Sequence, residues 1–486
     1  MSYQLASHAC ASCRQRKRKC DKLLPQCSLC SKKNLTCTYS TGNTPPSLTP
    51  SSDVFFPNGA AAPETSKFPA VFFLDANLFQ KAQFEIPRAE IPTPKYVLDL
   101  VGDIGEWRVI ATKFFETVNH FMPIVSRSRL YGKLLNPLAP RRNDVVLLIL
   151  CLRLICMLPA GTPMSRRPEY LAAKRFHAEL EISGAFSPQV LQSGVLIALY
   201  EFGHAIYPAA YLTVGGLARY GISSGIDGAG PSQMTPPSDW IEAEERKRAW
   251  WAVLILDRSV NLGNPTRTLA TQEPSPSSVL PMCDDFWDQG ILSSDEPFTL
   301  SSPASLQIGR FARFAQATFL LGRVYKHVSD STLSKDFLEE EATQLRRTLQ
   351  ALATIVDIEG QGRKLQFCTQ AALCYSGMLL LQESYSCLCK VPSPDIHFWD
   401  PTISIAESIA RESARIATSF LAKNDVGPAT EKVSPFILHL FYHSQVIFLE
   451  KAKRTGIEAA AESVGVLSKV LVVMDERWKA AGKCSR

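Results

Sequence analysis

The chain has 486 residues, of which 46% are hydrophobic and 20% charged, and its mean hydropathy is -0.01. This composition excludes a mainly disordered chain and is enough for a sizeable core and at least two domains. The net charge of +6 is modest for the length but unevenly distributed, because residues 1–40 carry eight Lys or Arg and one acid, Asp21. The sequence therefore predicts a polyanion-binding module at the N-terminus and a near-neutral body.

The N-terminal residues also bear on the cellular compartment. Fourteen cysteines would suit a secreted disulfide framework only in a small chain with a signal peptide. The first ten residues, MSYQLASHAC, lack a basic stretch followed by an apolar one, so we expect an intracellular, reducing compartment. The apolar runs 145–158 and 194–218 are too short or are interrupted by charged residues, and they predict buried helices rather than membrane spans.

Six cysteines near the N-terminus repeat one spacing. The pattern C-x2-C-x6-C occurs twice, and its members are Cys10, Cys13, Cys20, Cys27, Cys30 and Cys37. A structural zinc takes four thiolates in a tetrahedron, so six thiolates complete two zinc sites only if two sulfurs bridge. The twofold repeat suggests that equivalent residues bridge. Two other interpretations are a mononuclear zinc module with spare cysteines, which fits the spacing poorly, and a disulfide knot, which fits the compartment poorly.

The pattern resembles the fungal Zn2Cys6 binuclear-cluster DNA-binding domain. The resemblance covers residues 10–37 and implies a small module with two short helices and two Zn2+ ions per chain. It also implies which ligands are shared: Cys10 and Cys27 bridge, Cys13 and Cys20 belong to one zinc, and Cys30 and Cys37 belong to the other.

The basic residues are interleaved with these cysteines. Six residues, RQRKRK, separate Cys13 from Cys20, which predicts about one and a half helical turns with the basic side chains pointing outward. Such a helix can enter the major groove, where Lys or Arg meets guanine O6 and N7. By the family resemblance, Lys17 reads a CGG triplet with Arg16 beside it. We assign the other basic residues to phosphates: Arg14, Arg18, Lys19, Lys32 and Lys33. RQRKRK is also compatible with a nuclear-import signal.

Composition divides the chain into a DNA-binding domain (1–40), a linker (41–94) and a body (95–486). Residues 41–66 contain five prolines, eight Ser or Thr and no Lys or Arg, which predicts a flexible linker. In the body, apolar residues recur at helical spacing, so we expect a mainly α protein whose large regulatory domain is all-α. The predicted helices are 107–121, 145–158, 169–180, 190–205, 242–260, 306–328, 334–356, 366–388, 403–421, 435–454 and 459–479.

One stretch of the body, EAEERKRAWWAVLILDRSVNLGNP at 242–265, predicts a buried helix because it is apolar on most sides. Asp257 and Arg258 are costly there unless they are paired, and we expect internal partners such as Arg219 or Glu244. The stretch resembles the signature of the fungal-specific transcription factor domain, from which it departs at its final GNP. That resemblance covers about 107–300 and includes a small-residue helix at 209–221.

Signals of other functions are weaker. GISSG at 221–225 matches the G-x-S-x-G elbow of hydrolases, but it follows a predicted helix instead of a strand. His439 and His443 are one helical turn apart but have no third ligand nearby in sequence. The apolar series at 338–356 predicts either a short coiled coil or a helix packed in its own bundle. CDDFWD at 283–288 fits either an activation segment or a surface loop.

These features predict a nuclear, sequence-specific regulator of RNA polymerase II transcription, pathway-specific in scope and without enzymatic activity. Its expected partners are double-stranded DNA with CGG-type triplets and the transcription machinery or co-regulators, and we expect no membrane binding. A homodimer is left open, although no heptads follow Cys37, and so is a small-molecule effector. The alternative is a small-molecule sensor or an enzyme in the helical body, with the basic head as a nucleic-acid tether.

Overall fold

The computed structural model describes residues 6, 8–39, 74–81, 91–138, 140–228, 237–292, 297–303, 308–330, 334–362, 369–388, 401–422, 430–455 and 458–484. The chain forms two compact units, Met1–Ser66 and Lys67–Arg486. The first unit, which we call the head, contains α1 (Ala11–Gln15) and α2 (Ser28–Lys32). Between 41 and 94, residues 74–81 include a helix, α3 (Ala76–Lys81), and most of the predicted linker lies outside the described residues.

The second unit, the helical body, confirms the mainly α prediction. Across its described ranges the structure has no strand, only an isolated bridge between Val279 and Thr299. The further helices are α4 Lys95–Val101, α5 Ile104–Glu116, α6 Asn143–Cys156, α7 Pro168–Ile182, α8 Pro188–Gly203, α9 Ala209–Ser224, α10 Trp240–Ser259, α11 Asp284–Gln289, α12 Arg310–Ser329, α13 Lys335–Gly362, α14 Thr369–Leu388, α15 Pro401–Leu421, α16 Leu438–Thr455, α17 Glu458–Asp475 and α18 Lys479–Cys484.

Every helix predicted from apolar periodicity is present, with differences at the ends. The predicted helix 107–121 is wrong at its C-terminus, because α5 ends at Glu116 and a 3-10 turn, Val118–His120, follows. The predicted helix 459–479 is interrupted, since α17 ends at Asp475 and α18 begins at Lys479. The short helices α4 and α11 were not predicted, because seven and six residues are too few for a periodic signal.

Helix α8 is the centre of the first half of the body. It packs against α6, α9 and α10, and nearly all its side chains are buried, as its all-round apolar sequence requires. Its start is specified locally: Ser187 Oγ accepts the backbone N–H of Val190 at 3.2 Å, and Pro188 follows as the first helical residue, where its missing N–H is harmless.

The second half of the body continues the same core. Helices α12, α13 and α14 pack together, α15 packs on α16, and α16 packs on α17. One hydrophobic cluster runs from Val97 to Ala481. Gly203 at the end of α8 allows the C-terminal segment to approach, because a Cβ there would lie 2.2 Å from Cε3 of Trp478. No described helix combines the length and the hydropathy that crossing a membrane requires.

Candidate metal centre and DNA-binding module

The two sequence repeats of the head adopt the same local structure. Cys10 and Cys27 stand immediately before α1 and α2, in extended backbone conformation with ψ of 154° and 148°. The second cysteine of each repeat, Cys13 or Cys30, lies on the helix itself. Because each helix begins between the two cysteines, both sulfurs of a repeat turn toward the same interior, where they are buried.

Each helix of the head ends in the same way. Lys17 has φ 48° and Asn34 has φ 47°, which is the left-handed conformation found where helices terminate. The residue that follows donates its backbone N–H to the second cysteine of the repeat: Arg18 to the Cys13 carbonyl at 2.9 Å and Leu35 to the Cys30 carbonyl at 3.0 Å. These hydrogen bonds end each helix, and the chain then continues toward the third cysteine of the repeat.

The six sulfur atoms form two overlapping groups of four. In each group the ligand atoms lie within 4.8 Å of one another. One group consists of Cys10, Cys13, Cys20 and Cys27, and the other of Cys10, Cys27, Cys30 and Cys37. The structure therefore brings together all six cysteines identified from the sequence, and two of them belong to both groups.

The sulfur separations fit a tetrahedral thiolate site. Zn–S bonds of about 2.3 Å give S···S edges of about 3.8 Å in a tetrahedron. The two shared sulfurs, of Cys10 and Cys27, are 3.8 Å apart, and Cys10 to Cys30 and Cys13 to Cys27 measure 3.6 and 3.7 Å. Cys13 and Cys30 belong to different groups, and their Sγ atoms are 3.9 Å apart. These residues are able to hold metal.

Backbone N–H groups point at two of the sulfurs. The N–H of Cys30 donates to Sγ of Cys27 at 3.4 Å, and the N–H of Cys27 donates to Sγ of Cys37 at 3.3 Å. Burial opposes a charge on Cys27, but the hydrogen bond from Cys30 and the neighbouring thiols outweigh it and lower the pKa of Cys27. A thiolate is the form that binds zinc, so the backbone favours the ligating form at a shared position.

The interior of the head consists almost entirely of these cysteines. Cys10, Cys13, Cys27 and Cys30 form its buried cluster, and the partly buried residues around them include Leu35 and Tyr39. Tyr39 donates its hydroxyl to the Leu23 carbonyl at 3.0 Å and lies 3.9 Å from Sγ of Cys20. An apolar core this small cannot stabilise a domain by itself, so the head depends on what its sulfurs bind.

The basic residues surround this interior on the outside. All seven predicted DNA contacts are exposed, and they are Arg14, Arg16, Lys17, Arg18, Lys19, Lys32 and Lys33. The prediction of a helix through all of RQRKRK is wrong, because α1 ends at Gln15 and Lys17 has left-handed backbone. The helix ends early because the chain must turn back to bring Cys20 into the sulfur cluster.

Asp21, the one acid of residues 1–40, has a structural partner. Both carboxylate oxygens of Asp21 accept the backbone N–H of Ser28, at 3.2 and 3.1 Å, and this bonding to Ser28 lowers the pKa of Asp21. Ser28 is the first residue of α2, so Asp21 ties the end of the first repeat to the start of the second. No local sequence pattern predicts this contact, because Asp21 and Ser28 belong to different repeats.

Two families have sequence models that match the chain. The fungal Zn(2)-Cys(6) binuclear cluster domain matches residues 8–45, and the fungal specific transcription factor domain matches residues 111–354. The chain belongs to the fungal Zn2Cys6 transcription factors. Membership implies zinc binding, and the sulfur cluster is able to hold the metal. The domains are those of a DNA-binding transcription regulator and not of an enzyme.

Three curated relatives are also transcription factors. The chain is 33% identical over 181 residues to transcription factor BOA15 of Botryotinia fuckeliana, covering 36% of the chain and 98% of the relative. The chain is 27% identical over 300 residues to the pigment biosynthesis transcriptional activator pigB of Monascus ruber, covering 54% of the chain and 53% of the relative. It is 23% identical over 356 residues to the azaphilone cluster-specific transcription factor azaR of Aspergillus niger, covering 67% of the chain and 73% of the relative.

In this fungal transcription factor, the charged half of α10 is a network of buried ion pairs centred on Arg248. Its Nε donates to Glu244 at 3.0 Å, its Nη1 to Asp284 at 3.0 Å and to the Pro123 carbonyl at 3.1 Å, and its Nη2 to the Met282 carbonyl at 2.8 Å. The side chain of Arg248 is fully buried. One residue thus joins α10 to two segments that are distant in sequence.

A second arginine joins α10 to the segment before α6. Arg129 donates to Glu242 at 3.0 Å and to Glu245 at 2.5 Å, and Glu245 also accepts the backbone N–H of Ser126 at 2.8 Å. Burial raises the pKa of Glu245 although Arg129 opposes the shift. The run of acids and arginines before Trp250 is therefore structural, and sequence reasoning missed Arg129 and Asp284 because they are far from α10 along the chain.

Asp257 and Arg258 have internal partners, as expected. Asp257 accepts the backbone N–H groups of Ala270 and Thr271 at 3.1 and 2.9 Å, and Arg258 donates to the Gln272 carbonyl at 3.3 Å. The two side chains are 3.3 Å apart. Asp257 and Arg258 therefore fix the position of residues 270–272, in the loop after α10.

The specific partners named from the sequence are wrong. Arg219 is exposed on α9, and Glu244 is bonded to Arg248. A loop 13 residues away along the chain supplies backbone donors instead, which periodicity does not reveal.

The G-x-S-x-G match has a structural explanation. It lies at the end of α9, where Ser223 donates to the Tyr220 carbonyl at 3.0 Å and Gly225 is the left-handed cap. Position 221 requires glycine, because a Cβ there would lie 2.4 Å from Cζ3 of Trp250. The strand that a nucleophile elbow requires does not precede it.

The remaining weak signals also have structural partners. His439 Nδ1 lies 3.0 Å from Ser376 Oγ, and His443 Nδ1 lies 2.9 Å from Glu383. Burial, helped by His443, lowers the pKa of His439 to about 3. In α13 the apolar series includes buried Leu345, Leu349, Leu352 and Val356, and α13 packs on α12 and α14, which favours the bundle interpretation over a coiled coil.

CDDFWD lies at the surface, where Asp285, Phe286 and Asp288 are exposed, and it is anchored to the body by two other residues. Asp284 and Trp287 are buried, and the Arg248 guanidinium carbon lies 4.6 Å from the centre of the Trp287 ring.

Proposed function

We propose that this chain is a nuclear, zinc-dependent regulator of RNA polymerase II transcription that reads CGG-type triplets through a two-zinc cluster. The observation that carries the proposal is that the two groups of four sulfurs share Cys10 and Cys27. Two tetrahedral sites built from six thiolates need two bridging sulfurs. Cys13 and Cys20 would complete one site, and Cys30 and Cys37 the other.

The role of the zinc is to hold the head rigid, while the basic side chains contact DNA. Lys17, with Arg16 beside it, would read base edges, and the other exposed basic residues would bind phosphates. Both Arg16 and Lys17 lie just after the end of α1, and both are exposed. Base contacts carry sequence information and phosphate contacts carry salt-dependent affinity.

We further propose that the regulator is pathway-specific. This rests on the relatives, since pigB is named for pigment biosynthesis and azaR for an azaphilone cluster. The basic run RQRKRK would also serve nuclear import. The helical body would then regulate the DNA-bound head or recruit co-regulators.

The experiment that tests this function is selection of binding sites from random duplex DNA by the full-length, zinc-loaded protein. We expect enrichment of CGG triplets, and the number of triplets at fixed spacing distinguishes a monomer from a dimer. The Cys10→Ala protein is the control and should enrich nothing. Two bound zincs without any enriched sequence would contradict CGG reading and would leave the head as a basic module that needs a partner protein.

A further inference from the structure

The six sulfur atoms of the head are not equally covered. The first and second cysteines of each repeat are buried, whereas the third, Cys20 or Cys37, is only partly buried. We call Sγ of Cys20 and Sγ of Cys37 the outer sulfurs. One belongs to each group of four, and because the reactivity of a thiolate increases with its exposure, a competing chelator should reach the metal from this side.

The side chain of Tyr39 contacts both outer sulfurs. Its hydroxyl oxygen lies 3.9 Å from Sγ of Cys20, and the hydroxyl also interacts with the side chain of Cys37. Tyr39 is partly buried and packs against the cysteine cluster. Its side chain therefore covers the side of the cluster where the sulfurs are least buried.

A hydrogen bond holds this hydroxyl in place. Tyr39 donates to the Leu23 carbonyl at 3.0 Å, and Leu23 lies in the segment that joins the two repeats, shortly after Cys20. Tyr39 itself lies shortly after Cys37. The bond thus connects the two segments that follow the outer sulfurs, and it keeps the phenol oxygen beside both.

The hydroxyl has one proton and two kinds of acceptor beside it. The Leu23 carbonyl is neutral, whereas a cysteine that binds zinc is a charged thiolate, and hydrogen bonds to charged acceptors are the stronger ones. Rotation about the C–O bond of the phenol turns the proton from the carbonyl toward a sulfur while the ring stays in place. Groups that hydrogen-bond to metal ligands orient those ligands and increase metal affinity.

We propose that Tyr39 is a positioning residue that retains the metal in the head. Its hydroxyl donates to an outer sulfur in the metal-loaded protein, and its ring shields the same side of the cluster from competing chelators. The inference rests on the proposed two-zinc cluster. Tyr39 supplies no ligand, so its loss should change how long zinc stays bound and leave the number of zinc ions unchanged.

The test is the rate at which the full-length, zinc-loaded protein transfers zinc to EDTA, compared with the Tyr39→Phe protein. Phenylalanine keeps the ring and removes only the hydroxyl. We expect two zincs per chain in both proteins and release about tenfold faster from Tyr39→Phe, since losing a group that bonds to a metal ligand costs about 10–100-fold in affinity. Tyr39→Leu, which removes the ring as well, should release zinc faster still.

A spectrum of the cobalt-substituted protein distinguishes bonding to sulfur from packing. A hydrogen bond lowers the energy of the thiolate electrons, so its loss in Tyr39→Phe should move the sulfur-to-cobalt charge-transfer bands to longer wavelength. A role limited to packing, or to the bond with the Leu23 carbonyl, would leave these bands unchanged and would contradict the proposal.

Thr38→Val is the matched control, because it removes a hydroxyl from the exposed residue next to Tyr39. It should leave the release rate and the cobalt bands as in the wild type. The proposal is overturned if Tyr39→Phe releases zinc at the wild-type rate, or if Thr38→Val releases it as fast as Tyr39→Phe.

The metal content of each protein separates this proposal from the proposed function. A Tyr39→Phe protein with fewer than two ions per chain, beside a wild type with two, would show that the hydroxyl is needed to assemble the site and would overturn a role in retention. Fewer than two ions in the wild type would instead contradict the two-zinc cluster itself.

Discussion

At Lys17 an exposed basic side chain coincides with an uncommon backbone conformation. Left-handed backbone costs an L-residue about 1–2 kcal/mol, and Lys17 adopts it with φ 48°. The corresponding residue of the second repeat is Asn34, a type that tolerates this conformation better. The backbone conformation at position 17 therefore does not explain why this residue is lysine, which supports a role for the Lys17 side chain.

Lys17→Ala should abolish discrimination for the triplet. Alanine keeps a Cβ, so the backbone cost is unchanged and only the side chain is lost. We expect a loss of about 1–3 kcal/mol on CGG-containing DNA and little loss on random DNA. The measurement is the Kd for both duplexes at several salt concentrations.

Lys32→Ala is the matched comparison, since Lys32 is an exposed lysine of the second repeat. Lys32→Ala should weaken binding to every DNA sequence. It should also reduce by about 1 the slope of the logarithm of the binding constant against the logarithm of the salt concentration. Equal losses on specific and random DNA for both variants would contradict the division between base and phosphate contacts.

Cys10→Ala should lose both zincs, because a shared thiolate holds each of them. Zinc content per chain is the measurement. Cys283→Ala is the control, since Cys283 is a partly buried thiol of the helical body and belongs to neither sulfur group. Two zincs retained by the Cys10→Ala protein would remove Cys10 from the bridging position.

Among the elements, α10 depends on ion pairs as well as on apolar packing. Its N-terminal half contains buried Glu242, Glu244, Glu245 and Arg248, which are costly to bury unless each is paired. Their partners come from segments around 123–129 and 282–284. The charges therefore determine which segments α10 packs against, in addition to contributing stability.

Arg248→Ala should destabilise the helical body by about 3–5 kcal/mol, because it removes the buried cation between Glu244 and Asp284. The two acids then keep only the partly exposed Lys247 and Arg310. Urea unfolding followed by circular dichroism measures the change. Arg415→Ala is the control: Arg415 is 67% exposed and pairs with Glu412 on the same helix, so its loss should cost no more than about 1 kcal/mol. Similar effects of the two variants would show that the Arg248 network does not stabilise the body.

At the scale of the whole molecule, the two units are stabilised by different means. The head has a buried cluster made of cysteines, whereas the body has one continuous apolar core. EDTA should therefore abolish DNA binding and leave the thermal transition of the helical body unchanged, since metal binding and folding are coupled only in the head. Amide hydrogen exchange with and without EDTA localises the effect. Loss of protection in the body would contradict this independence.

The body should lose stability on acidification. Burial lowers the pKa of both His204 and His439 to about 3, from 6.5. As the pH falls, these two histidines bind protons in the unfolded chain before they do so in the folded chain. Their contribution to the free energy of unfolding is therefore fully present above pH 6.5, and it is lost progressively between pH 6.5 and about pH 3. Each histidine contributes a slope of up to about 1.4 kcal/mol per pH unit.

His439→Gln should remove the contribution of one histidine, up to about 1.4 kcal/mol per pH unit, from the pH dependence of the free energy of unfolding. His8→Gln, in the head, should leave that pH dependence unchanged. The measurement is the free energy of unfolding of the body at pH 7, 6 and 5. An unchanged slope in the His439→Gln protein would show that His439 is not a source of the acid sensitivity.

Much of the fold could be predicted because its signals are local. The long helices of the body follow apolar periodicity, which any helix buried on one face must show. The helix ends were less predictable: α1 ends at Gln15 because Cys20 has to return to the sulfur cluster, and α4 and α11 are too short to show a period.

The sequence by itself determined the family, the mainly α class and the six cysteines, because metal-ligand spacing and helical periodicity are properties of neighbouring residues. Only the tertiary structure decided which residues neutralise the charges of α10 and which segments its ion pairs hold in place. Arg129 and Glu242 are 113 residues apart and Arg248 and Asp284 are 36 apart. Contacts at such separations depend on how the helices pack, and no local pattern records them.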